Sequence, residues 1–281
     1  MKSKTHFKKQ LRLSPGYLLL ALWLIFTIYT VGWIVCASFS TTKEIFTNGI
    51  LRTGFHWDNY TRVLEKHKMS YYLINSLIYS VCTCAGVVLL GAPAAYVLGR
   101  FHFRFKNAVI NAIVITLSIP YMMVVLPLFK VAASIDILGS RITLITLYIG
   151  LNIPFTVFFL SGYFSSLPSA LEEAAEIDGA GPVRTYWNIM FPLVQPGIMT
   201  LIIFQFISTW NEYFIALIFG NSTQLRPIST GLQTIIQSMK YSGDWAGLFA
   251  GVVVVFVPTV ILYVFLSNRI IIGVTGGAIK E

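Results

Sequence analysis

Residues Tyr17 to Phe39 read YLLLALWLIFTIYTVGWIVCASF, a run without one charged side chain. A hydrocarbon core about 30 Å thick needs roughly 20 such residues in a helix, so the run is long enough to cross it. It is too long for the apolar region of a signal peptide, and no small-residue cleavage site follows, so it is expected to persist as a span. Five further runs read the same way: Tyr72 to Leu98, Ala108 to Phe129, Ile142 to Phe164, Gly197 to Phe219 and Trp245 to Ser267. The composition agrees, because 281 residues that are 56% hydrophobic and 11% charged lie well outside the range of a soluble domain. The expected fold is all-α: one polytopic membrane domain over 1–281, with six transmembrane helices and one long cytoplasmic loop at 165–196. Proline inside a span (Pro93, Pro120, Pro127, Pro154, Pro258) is expected to kink its helix rather than break it.

Basic residues set the orientation. Lys2, Lys4, Lys8, Lys9 and Arg12 precede the first span and place the N-terminus in the cytoplasm. Six spans return the C-terminus to the same side. The net charge of +9 is scattered among short loops, which points to membrane topology and away from nucleic acid. With this orientation eleven Lys and Arg fall inside and nine outside, so the assignment rests on the N-terminal tail and on Arg100, Arg104 and Lys106. Cys36, Cys82 and Cys84 all lie within spans, which argues against a disulfide framework. His6, His56, His67 and His102 have no metal-ligand spacing. No G-x-x-x-x-G-K-[ST] occurs, so the chain carries no nucleotide-binding phosphate loop of its own.

The longest cytoplasmic loop holds EEAAEIDGAG, Glu172 to Gly181, which concentrates four carboxylates in a chain poor in charge. Ser169 followed by Glu172 reads as a capping box, so a helix is expected to start at Ala170. Glu172 and Glu173 then meet the positive end of its dipole, and Gly179 supplies the left-handed residue that closes it. Glu172, Glu173 and Glu176 share one solvent-facing side; Leu171, Ala174, Ala175 and Ile177 share the other. Pro182 suits the first position of a second short helix running through Trp187 to about Met190. A helix of about nine residues is marginal alone, so something should dock against it. Two readings remain at this point: a handle for another protein, or a well-capped surface helix whose acids keep the loop soluble. No His or Cys lies nearby, which argues against a catalytic or metal-binding carboxylate pair.

Glu173-Ala174-Ala175, then Gly179, Ile189 and Pro192 at their spacings, resemble the EAA loop of bacterial ABC importer permeases, with Phe191 where that family usually has leucine. The resemblance extends over most of the chain and is closest to the maltose-type carbohydrate permeases, in particular the shorter six-span subunit of the pair. It is carried by WDNY (Trp57 to Tyr60), AYVLGRF (Ala95 to Phe101), EEAAEIDGAG, WNE (Trp210 to Glu212) and the terminal GGAIK. The resemblance implies a coupling helix at Glu172, Glu173, Ala174, Ala175, Asp178, Gly179, Ala180 and Gly181 that seats in a cytoplasmic ATPase subunit. It further implies a second homologous permease, two ATPase subunits that bind ATP and Mg, and an extracytoplasmic sugar-binding protein. No cofactor is expected in this chain, its location is the bacterial cytoplasmic membrane, and its terminal tail is expected to reach the ATPase interface.

Glu212 is the clearest ionisable residue within a span. A charge at mid-membrane costs about 2.5 to 3.5 kcal/mol on insertion scales, so it should face a cavity or a partner unless it reaches the outer interface. Trp210, Asn211, Tyr213 and Asn152 surround it in the expected pathway, where aromatics and amides suit a sugar. The competing class is an ion-coupled secondary transporter, in which Glu212 would bind the coupling ion.

Overall fold

The computed structural model describes residues 2–276 other than Asn48 and Asn221, with side chains from 15 to 265. The terminal GGAIK lies outside the described residues from Gly277 onward, as do the side chains of the basic N-terminal tail. Among the described residues every regular element is helical. The chain divides into two compact units, 1–67 with 234–254 and 68–233 with 255–281.

The first unit begins with α1 (Lys2–Ser38), whose side chains from Pro15 to Tyr29 are all exposed within this chain, as a helix surrounded by lipid or by another membrane subunit requires. The loop after it is held by polar bonds. α2 (Thr42–Phe46) starts in a capping box between Thr41 and Glu44. The other carboxylate oxygen of Glu44 accepts from the amide and hydroxyl of Thr53 at 2.7 and 2.8 Å. These donors, led by the Thr41 amide, lower the Glu44 pKa from 4.5 to about 2 and keep it ionised. α3 (Asp58–Thr61) continues as a π-turn to Lys66. Asn59 there donates to the carbonyls of Ser38 and Ser40, both at 2.9 Å, so the WDNY segment clamps the end of α1.

The second unit contains α4 (Met69–Arg100), α5 (Lys106–Ser118), α6 (Tyr121–Ser134), α7 (Arg141–Ser166), α8 (Ala170–Ile177) and α9 (Pro182–Thr185). A π-turn leads from α9 into α10 (Phe191–Leu193), followed by α11 (Gln195–Asn211) and α12 (Phe214–Phe219). α13 (Ile228–Ser242) and α14 (Trp245–Gly276) then carry the chain from one unit to the other and back. α4 and α7 form the most extensive helix pair. Glycines on α4 permit this: a Cβ on Gly91 would lie 2.5 Å from Thr156 Cγ2, and one on Gly99 would lie 3.0 Å from the Ser161 carbonyl. Close approach through small residues replaces the hydrophobic drive that lipid removes. Contacts advance in the same direction along both helices, so they run parallel and their C-terminal ends lie together. Gly91→Ala is therefore expected to strain this seam by about 1–3 kcal/mol, seen as a lower midpoint of thermal unfolding in detergent. An unchanged midpoint would show that the seam yields without cost.

Four helices are long and apolar enough to cross a membrane, and up to six spans result when each of two bent helix pairs counts as one. α4, α7 and α14 pass through Pro93, Pro154 and Pro258 unbroken, as expected. The third expected span does not. α5 and α6 meet at 100°. Ile119, placed before Pro120, is extended at φ −83°, ψ 121°, and Pro120 is extended in turn. Proline disfavours the helical region for its predecessor and cannot donate to the previous turn, so here it breaks the helix. The fifth expected span, Gly197 to Phe219, is also divided: α11 ends at Asn211, Glu212 is extended, and α12 follows. Gly247 lies in the first turn of α14. Its small size makes room for the Asp244 side chain, which caps its amide at 2.9 Å.

Candidate functional site: a coupling elbow and a helix-break cleft

α8 starts at Ala170 and ends before Gly179, as the sequence predicts. The closure is a Schellman motif: the Ala180 amide donates to Ala175 O at 2.8 Å and the Gly179 amide to Glu176 O at 3.0 Å, with Gly179 at φ +74°. Gly181 is extended and Pro182 opens α9, so the two short helices form an elbow. The elbow is anchored from beneath. Tyr186, Met190 and Val194 are buried in a cluster with Ala95, Tyr96 and Leu98 of α4, Leu160 and Phe164 of α7, and Leu201 of α11. Ala175 is buried, whereas Ile177 is 86% and Val183 73% exposed.

The start of α8 differs from expectation. Ser169 adopts helical angles, φ −64° and ψ −29°, and its hydroxyl makes no cap bond. A cap requires an extended residue to aim its oxygen at the third amide. Glu172 does not reach back, and unlike the exposed Glu173 and Glu176 it is half-buried. Its Oε2 accepts from Arg100 Nε at 2.7 Å and pairs with Nη2 at 2.5 Å. Its Oε1 accepts from the Tyr96 hydroxyl at 2.8 Å. A bidentate guanidinium is a stronger partner than one backbone amide, and it wins. Glu173, Glu176 and Asp178 remain exposed, as do Ala174 and Gly181; Ala180 is half-buried. In the sequence Arg100 reads as an orientation residue and, with Tyr96, as a member of AYVLGRF; no local pattern pairs them with Glu172.

The second site surrounds the break between α11 and α12. Asn211, Glu212, Tyr213 and Asn152 line one cleft of about 510 Å³ with Tyr121 and Tyr148. Glu212 Oε1 accepts from the Ile215 amide at 2.6 Å; Oε2 accepts from the Ala216 amide at 3.1 Å and from the Tyr148 hydroxyl at 2.9 Å. The Glu212 carbonyl accepts from Ser229 Oγ. The carboxylate thus caps α12 and ties it to α7, which offsets its desolvation. Asn211 and Asn152 donate to Ile207 O and Tyr148 O in their own helices, at 2.8 and 2.7 Å. Trp210 is not in the cleft. It is fully buried, stacked on Phe206, and its indole donates to Val255 O at 3.2 Å.

The described residues thus present apolar helices long enough to cross a membrane, an exposed elbow and a polar cleft at a helix break. Residues 88–270 match the binding-protein-dependent transport system inner membrane component family. This chain belongs to that family. It is 32% identical over 266 residues to the diacetylchitobiose uptake system permease protein NgcG of Streptomyces coelicolor, covering 94% of this chain and 88% of that one. It is 29% identical to the trehalose transport system permease protein SugB of Mycobacterium tuberculosis, covering 91% and 93%. The fold matches a chain of a bacterial ABC transporter involved in the import of the acidic polysaccharide alginate, with a TM-score of 0.78 at 22% identity and coverage of 90% and 94%.

Proposed function

We propose that this chain is the shorter, six-span permease of an ATP-driven importer and forms, with a second homologous permease, the pathway for an oligosaccharide delivered by an extracytoplasmic binding protein. Two separate ATPase subunits, which bind ATP and Mg, dock on the elbow from the cytoplasm. The observation that carries this reading is the elbow itself. Its deep face is locked into the α4–α7–α11 core, while Glu173, Glu176, Asp178, Ile177 and Val183 are exposed among the described residues. Such a mixed acidic and apolar surface suits a docking partner better than a merely soluble loop.

Arg100 reaches the elbow, and Arg104 and Lys106 follow it, so the positive-inside rule supports a cytoplasmic elbow and cytoplasmic termini in the bacterial membrane. The sugar-named relatives and a cleft of tyrosines and amides support a carbohydrate substrate. The ion-coupled alternative finds little support at Glu212, whose oxygens already serve three donors. Purified alone, the chain is expected to hydrolyse no ATP; co-expressed with its partners, it should copurify with an ATPase. Steady turnover by the ATPase-free chain would overturn the assignment of hydrolysis to separate subunits.

A further inference from the structure

Arg100 ends α4, and its side chain is only 10% exposed. Every direction of the guanidinium is occupied. Nε and Nη2 hold Glu172 of α8, while Nη1 donates to the carbonyl of Leu167 at 2.7 Å, with Phe164 O at 3.4 Å. Those carbonyls belong to the C-terminal end of α7, where unpaired carbonyls favour a cation. Tyr96, one turn earlier on α4, holds the remaining oxygen of Glu172. The ends of α4 and α7 and the first turn of α8 therefore close on a single cation.

We infer that Arg100 is a positioning residue that makes α8 move with α4 and α7 as one body, so that displacement of the elbow reaches the transport cleft. This rests on the coupling role proposed for the elbow. α8 has eight residues and cannot hold its own place, because a short helix does not repay its nucleation cost. Its distal end turns through Gly179, and Ala175 is its single fully buried side chain. Without the Arg100 fork, the first turn would be held only by the single bond from Tyr96 to Glu172 and by the chain from Leu167 to Ser169. The glycine seam joins α4 to α7, and α7 carries Tyr148, the Glu212 partner in the cleft. A push on α8 is thereby delivered to the residues that line the cleft.

The test uses the full complex in proteoliposomes, with Cys36, Cys82 and Cys84 replaced by serine and one reporter thiol introduced by Asn211→Cys in the cleft. The reading is the change in maleimide labelling rate caused by ATP with vanadate. Arg100→Gln is expected to reduce that change at least about fivefold, the lower end of typical coupling factors, while the ATPases still copurify. Arg100→Lys, which keeps a cation beside Glu172 and the α7 carbonyls without the planar fork, should retain part of it, a graded rescue that loss of assembly alone does not predict. If Arg100→Gln fails to assemble, Tyr96→Phe provides the same test with a smaller loss, because it removes one bond to Glu172 and leaves the ring packing. A full ATP-dependent change in an assembled Arg100→Gln or Tyr96→Phe complex overturns the inference. A parent complex without bound ATPase would instead overturn the docking role on which it rests.

Discussion

Glu212→Leu is expected to reduce uptake to background, and Glu212→Gln to retain a clear fraction of it. Leucine removes the acceptor for the Tyr148 hydroxyl and for the amides of Ile215 and Ala216. All three residues are buried, and a buried donor left without a partner costs about 1–3 kcal/mol. The sum is enough to lose the break between α11 and α12, or to repack it. Glutamine keeps one oxygen in place of two, so it can serve only part of the set. Adding Tyr148→Phe to Glu212→Leu should cost less than the two single losses combined, because the hydroxyl is then no longer stranded. Uptake is measured in cells carrying the whole transporter, normalised to complex in the membrane. Full uptake by Glu212→Leu would show that neither the cap nor the cleft matters to transport.

The sequence makes legible what is decided locally. Hydropathy finds the spans because crossing lipid is a matter of length and composition. Gly179 and Pro182 announce the elbow because a left-handed closure and a fixed φ are properties of single residues. Direction and long-range pairing are not local. Ala108 to Phe129 reads as one span because hydropathy averages across Pro120, where the helix direction changes by 100°. S-x-x-E at Ser169 reads as a capping box because its competitors, Tyr96 and Arg100, lie more than 70 residues earlier in the chain. Glu212 announces a buried carboxylate, but Tyr148, which shares it, looks like one more aromatic in an apolar helix. Trp210 reads as part of the pathway because it adjoins Asn211 and Glu212; the helix turns its ring into the core instead.

Gly179→Val is expected to leave the chain in the membrane at normal level, weaken ATPase copurification and reduce uptake about tenfold or more. The left-handed conformation at φ +74° costs an ordinary L-residue about 1–2 kcal/mol, and more when the side chain is β-branched. A Cβ at this position would meet nothing within 4 Å, so the penalty comes from the backbone and not from a clash. The chain can escape it by giving up the bonds from Ala180 to Ala175 and from Gly179 to Glu176, which opens the elbow and swings Pro182 away from the end of α8. About 1.4 kcal/mol in favour of the opened form corresponds to a factor of ten in the docking-competent population. Gly179→Asn separates the causes, because asparagine tolerates the left-handed region while adding comparable bulk. It should dock and transport nearly as the parent does. If Val and Asn behave alike and both are normal, the elbow does not depend on its left-handed closure and the coupling assignment fails. If both are equally impaired, the surface around Gly179 must be in contact with a partner too closely to admit any side chain.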